Sequence, residues 1–229
     1  GSALRERLSP EHWNFIKQAE ENFLREARRL RDDGGQGADA LQQLAAVSRA
    51  LSAITGAQHD RMWRDDGWRL LSAGRQIERL TYLSEALSRG FYTNAVHDAA
   101  GFGVVLDLFD STISFHARYQ RSRAIAALIE HVVLNFENPR SLGWVVQTLN
   151  GRLARLHERE PGPLEDLSKR LQPPGADELT RLCQSDHIGD FVHLQALLQQ
   201  FMKAGAQLST DISLRHFTHT GEVRRSTGV

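Results

Sequence analysis

The chain has 229 residues, and 28 Lys and Arg residues balance 28 Asp and Glu residues, so its formal net charge is zero. This balance argues against a strongly electrostatic partner, so we expect the chain to bind neither nucleic acid nor a membrane surface. Its single cysteine, Cys183, permits no intrachain disulfide, which fits a reducing, cytoplasmic location. No signal peptide is visible, and no stretch is long and apolar enough to span a bilayer.

Helical periodicity runs through nearly the whole sequence and predicts an all-α bundle of about seven to nine helices in a single domain, residues 1–229. Ser9 is a good N-cap for a first helix that ends near Leu30. A loop from Asp32 to Gly37 precedes a second helix over about 40–55. A third helix runs from about 59 or 66 to 88, and Gly90 is expected to end it.

A long central helix is predicted from about Asn94 to Tyr119, because its apolar arc is wide enough to meet neighbours on most sides. Asn138 is predicted to cap a later helix, with Pro139 at its first position. The remaining predicted helices cover about 124–134, 139–157, 179–183 and 189–217, with one further short helix between the prolines at 163 and 173. Residues 218–229 are polar and are expected to fray.

The third helix carries charges on the side that its apolar residues suggest is buried. At about 100° per residue, Trp68 and Tyr82 share one face, and Arg75 and Glu78 fall on that face with Arg79 at its edge. A buried charge must be paired, because desolvating a lone ion costs several kcal/mol. The segment is therefore expected to form an internal salt-bridge network or to line a polar cleft.

The candidate site is a set of charged residues on adjacent predicted helices: Arg75, Glu78, Arg79, Asp107, Arg118 and Arg140. Two interpretations stay open, since these residues could grip a carboxylate- or phosphate-bearing ligand, or could form internal bridges that fix helix register. Trp68 is expected in the core or in a pocket wall, and Tyr119 is expected to pack with its hydroxyl hydrogen-bonded.

Three ordered stretches carry a resemblance to a known family. The first runs from Asp66 to Arg79 and contains Asp-Gly-Trp-Arg, Gly-Arg and Glu-Arg; the second is Asp107 followed by Arg118-Tyr119; the third is 134–142, with Asn-Pro-Arg-Ser. They resemble the alpha-E family of bacterial all-helical domains over about residues 8–217. Leu70 replaces the family's usual Phe and Asn135 its usual Asp. The motif positions implied as a possible site are Trp68, Arg69, Arg75, Glu78, Arg79, Asp107, Arg118, Tyr119 and Arg140.

The resemblance also implies a functional setting. Members of the family are commonly fused to, or encoded beside, ATP-grasp ligase-like proteins, and transglutaminase-like peptidases appear nearby. This implies a non-catalytic or accessory module in the synthesis or processing of a peptide-like metabolite or tag. Full members carry two related halves, whereas one copy of the motif is found here, so we expect the chain to be the C-terminal part, with Gly1-Ser2 left from a tag.

The alternative is an enzyme that acts on an amino-acid or peptidyl substrate. Glu78 or Asp107 would then be the general base, and Arg75, Arg79 or Arg140 would hold a carboxylate. The sequence contains no Glu-x-x-His, no phosphate-binding glycine loop and no dinucleotide fingerprint, so neither a metal nor a cofactor is predicted. The oligomeric state is left open.

Overall fold

A computed structural model of the chain describes residues 8–32, 37–159, 167–185 and 190–217. Every regular element in these ranges is helical, which confirms the all-α prediction. The helices are α1 (Pro10–Asp32), α2 (Gly37–Arg61), α3 (Asp66–Tyr92), α4 (Ala99–Leu108), α5 (Thr112–Tyr119), α6 (Ile125–Ile129), α7 (Leu142–Arg159), α8 (Leu179–Leu182) and α9 (Val192–His216). Short 3₁₀ turns occupy Ala95–His97, Leu167–Lys169 and Ala176–Glu178, and a π-helical turn, Glu130–Leu134, follows α6.

Parts of three predicted segments lie outside the described residues: most of the loop at 32–37, the first residues of the short helix expected between the prolines at 163 and 173, and the tail from 218. The described part of that expected helix contains the 3₁₀ turn Leu167–Lys169 in place of an α-helix. Among the helices that the structure describes, none combines the length and hydropathy needed to cross a bilayer.

The chain divides into two compact units, the first ending at Trp68 and the second beginning at Arg69. In the first unit, α1 packs along α2, and Ser9 caps α1 by accepting a hydrogen bond from the His12 N–H at 3.2 Å. The predicted apolar side of α2 is largely exposed, since Leu41 is 69% and Leu44 61% accessible. Two compact units can belong to one domain, so the single domain stays a prediction.

The second unit holds a large core built from α3 to α9. Its fully buried side chains include Leu80 of α3, Leu106 of α4, Phe115 of α5, Leu149 of α7 and Phe201 of α9. The core side of α3 differs from the side that the sequence suggested. Its buried stripe is Ala73, Ile77, Leu80, Leu87 and Phe91.

Counting about 100° per residue, Arg75 lies on the side of α3 opposite that stripe, and Arg79 lies on its flank. Tyr82, which was expected on the buried face, is 55% exposed. The predicted core face of α3 was wrong because it was chosen to include Trp68. Trp68 is indeed buried, at 6% exposure, but it does not lie on the same side as the buried stripe. The end of α3 was also misplaced. Gly90 lies within the helix, where a Cβ atom would sit 3.2 Å from side-chain atoms of Val96 and Val105, so it permits close packing.

The predicted central helix is two helices rather than one. Asp98 caps α4 by accepting hydrogen bonds from the N–H groups of Ala100 and Gly101, at 3.0 and 3.2 Å. After α4 the chain turns at Asp110, which has a φ of 48°, a left-handed conformation that Asp tolerates better than most residues. The wide apolar arc of the sequence therefore combines the buried sides of two separate helices.

The start of α7 also differs from the prediction. Ser141, not Asn138, is its N-cap, since the Trp144 N–H donates to Ser141 Oγ at 3.1 Å. Asn138 instead closes the preceding turn by accepting the Arg140 N–H at 3.0 Å. This change matters for the site, because the turn becomes one wall of a cleft.

Candidate functional site

A cleft of about 500 Å³ opens beside α5 in the second unit, and we call it the α5 cleft. Helix α5, the turn before it, the π-helical turn and the loop before α7 each supply part of its wall. The lining residues are Asp110, Ser114, Arg118, His131, Asn135, Glu137, Asn138, Pro139 and Arg140. The volume lies in the range typical of small-molecule sites.

A buried polar network joins the walls of the cleft. Asn138, which is 8% exposed, donates from Nδ2 to Ser111 Oγ at 3.0 Å and to the His131 carbonyl at 3.1 Å. Ser111 Oγ in turn donates to the Phe109 carbonyl at 2.8 Å. Because buried polar groups are costly when unpaired, these bonds hold the loop before α7 against the turn before α5.

His131 forms the inner wall and is 2% exposed. Its Nε2 lies 2.9 Å from Ser114 Oγ, whereas its buried Nδ1 meets no partner in the described part of the chain. Burial lowers the pKa of His131, and the positive charge of Arg118 lowers it further, against the opposing effect of Glu130. The imidazole is therefore neutral at pH 7, with one nitrogen protonated.

Hydrogen-bond accounting selects the tautomer. Ser114 Oγ also lies 3.1 Å from the Ser111 carbonyl, which can only accept. If Nε2 carries the proton, it donates to Ser114 and the Ser114 hydroxyl donates to that carbonyl, so both bonds are made. The opposite tautomer would bury an unpaired N–H at Nδ1, which is the more costly state. His131 therefore holds Ser114 in place and does not accept its proton.

Arg75, Arg79 and Arg140 form a cluster of positive charge next to the cleft, which we call the arginine cluster. Burial lowers the pKa of Arg79, and the charges of Arg140 and Arg75 lower it further. Burial also lowers the pKa of Arg75, which Glu78 partly offsets. Within the described residues Arg79 has neither a hydrogen bond nor an ion pair, whereas Arg140 Nη2 contacts Asp110 Oδ2 at 3.2 Å.

The expected site residues do not form one alternating network. Arg118 pairs with Glu130 at 3.0 Å, and Asp107 accepts a hydrogen bond from Thr112 Oγ1 at 2.6 Å, outside the α5 cleft. Glu78 is exposed and lies near Arg75. The structure thus brings together Arg75, Arg79 and Arg140, places Arg118 on the cleft wall, and leaves Asp107 apart.

The aromatic candidates pack, as the sequence suggested. Trp68 lies under the Arg64 guanidinium, 4.1 Å from the ring centre, and its neighbour Arg69 is half-buried. The Tyr119 ring packs on Phe115 with centroids 4.9 Å apart. Its hydroxyl is buried and makes no hydrogen bond of standard geometry in the ranges described, although the Glu130 carboxylate lies near it. Burial, followed by the nearby charge of Glu130, raises the pKa of Tyr119.

Sequence reasoning missed Asp110, Ser114, His131 and Glu137 as cleft residues. Asp110 and Ser114 fall within the segment predicted as one helix, whereas the structure places Asp110 in the turn between α4 and α5 and Ser114 in α5. His131 falls in a strongly apolar run, where nothing local marks it as part of a polar wall. Among the residues described, no group of three or more His, Cys, Asp or Glu side chains could hold a metal ion.

Comparison of the sequence with known proteins identifies a family. A family described as a predicted alpha-helical domain with a conserved ER motif, Alpha-E, matches residues 1–217. The chain belongs to the Alpha-E family. Uncharacterized proteins of Mycobacterium bovis and Mycobacterium tuberculosis are each 23% identical over 223 residues, which cover 93% of this chain. No solved structure gives a significant match.

The chain spans about a quarter of the length of these mycobacterial relatives, since the match covers 25% of each. The first of the three stretches that resemble the family ends at Glu78-Arg79, and the resemblance matches this pair to the Glu-Arg motif of the family. The two residues of that pair differ in their exposure to solvent. Glu78 is exposed to solvent, and Arg79 is half-buried beside Arg75 and Arg140.

Proposed function

We propose that this Alpha-E domain is a non-catalytic, accessory module of an ATP-grasp type amide or peptide ligase system. In this proposal the arginine cluster binds a carboxylate or phosphate group of the peptide-like metabolite or tag that the system synthesises or processes. The ligase-like protein, and a transglutaminase-like peptidase as a second partner, come from the family resemblance. A cytoplasmic location is part of the same proposal.

The observation that carries the binding role is Arg79. A half-buried guanidinium without an acidic partner is unfavourable, and two further guanidinium groups nearby make it more so. Arginine stays protonated at ordinary pH, so this strain is not relieved by losing a proton. An oxyanion with two acceptor atoms would relieve it, because the guanidinium group can donate two parallel hydrogen bonds to it.

The proposal of a non-catalytic role is supported by the positions of the candidate bases. Glu78 points to solvent, and Asp107 caps the turn at Thr112, so neither lines the α5 cleft. Ser114 keeps its proton and donates it in a hydrogen bond to the Ser111 carbonyl, by the tautomer argument above. An enzyme acting on an amino-acid or peptidyl substrate is the alternative, and it would need one of these groups to act differently.

Anion binding is tested by thermal unfolding of the wild type, Arg79→Gln and the exposed control Arg155→Gln, with and without inorganic phosphate or acetate. We expect either anion to raise the melting temperature of the wild type and of Arg155→Gln, but not of Arg79→Gln. In anion-free buffer Arg79→Gln should be at least as stable as wild type, because it removes an unpaired charge. An equal rise in melting temperature with either anion in all three proteins would contradict the proposed site.

The partner is tested with the intact protein, since the chain spans a quarter of its relatives. Full-length protein and the ATP-grasp ligase-like protein of the same genome are co-expressed, and one of them carries an affinity tag. We expect the two to co-purify in stoichiometric amounts. Recovery of the tagged protein alone, with both proteins folded and present in the lysate, would contradict the partnership.

A further inference from the structure

An exposed ion pair stands at the wall of the α5 cleft. Arg140 Nη2 and Asp110 Oδ2 lie 3.2 Å apart, with side chains 40% and 75% exposed. A positive and a negative group at this spacing form a dipole, and the ligand that complements it carries both charges on groups attached to one carbon atom. We propose that the α5 cleft binds a zwitterionic α-amino acid. This inference rests on the proposed function, because Arg140 belongs to the arginine cluster.

Both charged residues are positioned by the backbone rather than by each other. Asp110 is held in the left-handed region, and its N–H donates to the Asp107 carbonyl at 2.9 Å. The Arg140 N–H donates to Asn138 Oδ1, and Asn138 is itself fixed by the buried polar network. Non-glycine residues held at positive φ concentrate at functional sites, because the surrounding structure must maintain their strain.

Ligand binding would exchange one ion pair for two. An exposed pair contributes about 1 kcal/mol or less, so separating Arg140 from Asp110 costs little. The ligand carboxylate then takes the place of Asp110 on Arg140, with Arg79 as a second cation nearby. The ligand ammonium group takes Asp110, and Glu137, which has no ion-pair partner among the described residues, is the second acceptor on the cleft wall.

The rest of the cleft suits a side chain. Its volume of about 500 Å³ exceeds what two charged groups fill, and its lining also includes the polar side chains of Ser114 and Asn135. His131 also lines the cleft. A simple anion such as phosphate would use only the arginine side of this lining.

The test is isothermal titration calorimetry on the wild-type chain. The probes are L-alanine, L-glutamine and L-glutamate, each compared with its N-acetyl form, which lacks the ammonium group, and its amide, which lacks the carboxylate. Inorganic phosphate is the fourth class of probe. We expect at least one free amino acid to bind, and its two blocked forms to bind about tenfold or more weakly, because each loses a charge-assisted hydrogen bond.

Variants locate the site. Asp110→Asn keeps a residue that tolerates positive φ and removes the charge, so it should weaken amino-acid binding about tenfold without weakening phosphate binding. Asp60→Asn, an exposed carboxylate of α2, is the matched control and should change neither. Thermal unfolding of each variant checks that it is folded.

The outcomes separate this inference from the proposed function. Phosphate binding that depends on Arg79, with no free amino acid bound better than its blocked forms, overturns the amino-acid site and leaves the anion site standing. Amino-acid binding that depends on Asp110 but is unchanged by Arg79→Gln supports the cleft and overturns the role of Arg79. Absence of binding by every probe overturns both.

Discussion

Ser114 and His131 meet at the wall of the α5 cleft, with Oγ and Nε2 2.9 Å apart. The pair has the spacing of a nucleophile and its base, yet His131 Nδ1 has no acidic partner among the described residues. The Ser114 hydroxyl instead donates its hydrogen bond to the Ser111 carbonyl. His131 therefore holds the Ser114 side chain in place and does not activate it.

Ser114 should not behave as an activated nucleophile. We expect no labelling of the chain by a fluorophosphonate probe at pH 7 to 8, as judged by intact mass, because no base withdraws the hydroxyl proton. Ser114→Ala serves as the reference for background labelling. Covalent modification of the wild type that disappears in Ser114→Ala would contradict the assigned tautomer and favour an enzyme.

His131 should make stability depend on pH. Its pKa in the folded chain is lowered by burial from about 6.5, so the unfolded chain binds the proton more readily. The stability from this residue is therefore complete above about pH 6.5 and is lost as the pH falls toward the folded pKa. We expect the melting temperature of wild type to fall between pH 7 and 5 more steeply than that of His131→Gln.

The control for this effect is His193→Gln, which changes an exposed histidine of α9. It should keep the wild-type slope of melting temperature against pH. A slope in His131→Gln as steep as that of wild type would assign the acid sensitivity to other groups.

Asn138 should be the residue of the loop before α7 that is least tolerant of change. Asn138→Ala leaves Ser111 and the His131 carbonyl without their buried donor, so we expect a loss of about 1–3 kcal/mol in the free energy of unfolding. Urea denaturation measures it. Gln147→Ala, an exposed position on α7, should change stability by about 0.5 kcal/mol or less.

Two glycines of α4 should respond to alanine in opposite directions. A Cβ on Gly101 would sit 2.2 Å from the Ala95 carbonyl oxygen, and backbone must move to admit it, so Gly101→Ala should cost about 1–3 kcal/mol. A Cβ on Gly103 meets nothing within 4 Å, so Gly103→Ala should stabilise the chain by up to about 1 kcal/mol through helix propensity. Chemical denaturation of both variants in parallel compares them, and a change of the same sign in both would contradict the packing described.

The sequence is sufficient for the fold class and for most of the helices, because periodicity and caps such as Ser9 are local signals. It is insufficient where a local signal has two meanings. Asn138-Pro139 has the form of a helix start, but its bonds to Ser111 and His131 close a turn. Phe109 and Phe115 belong to one apolar arc in the sequence, and only the positive φ of Asp110 separates their helices.

The residues of the candidate site were also predictable only in part. Arg75 and Arg79 are recognisable from their motif, and the structure places them near Arg140. The acidic partners were not predictable, because Asp110 and Glu130 reach Arg140 and Arg118 through a turn and a π-helical segment that periodicity does not reveal. Which residues are functional stays a prediction.

The π-helical turn at Glu130–Leu134 has an evolutionary consequence. Such a turn has the form of an α-helix that has accepted a single-residue insertion. One additional residue rotates the chain that follows by about 100° about the helix axis. Here the chain that follows includes Asn135 and Asn138, which line the α5 cleft. A relative that lacks one position within 130–134 should have a regular helix there and a differently placed loop. A one-residue gap in this segment would therefore mark the lineages of the family in which the cleft is absent.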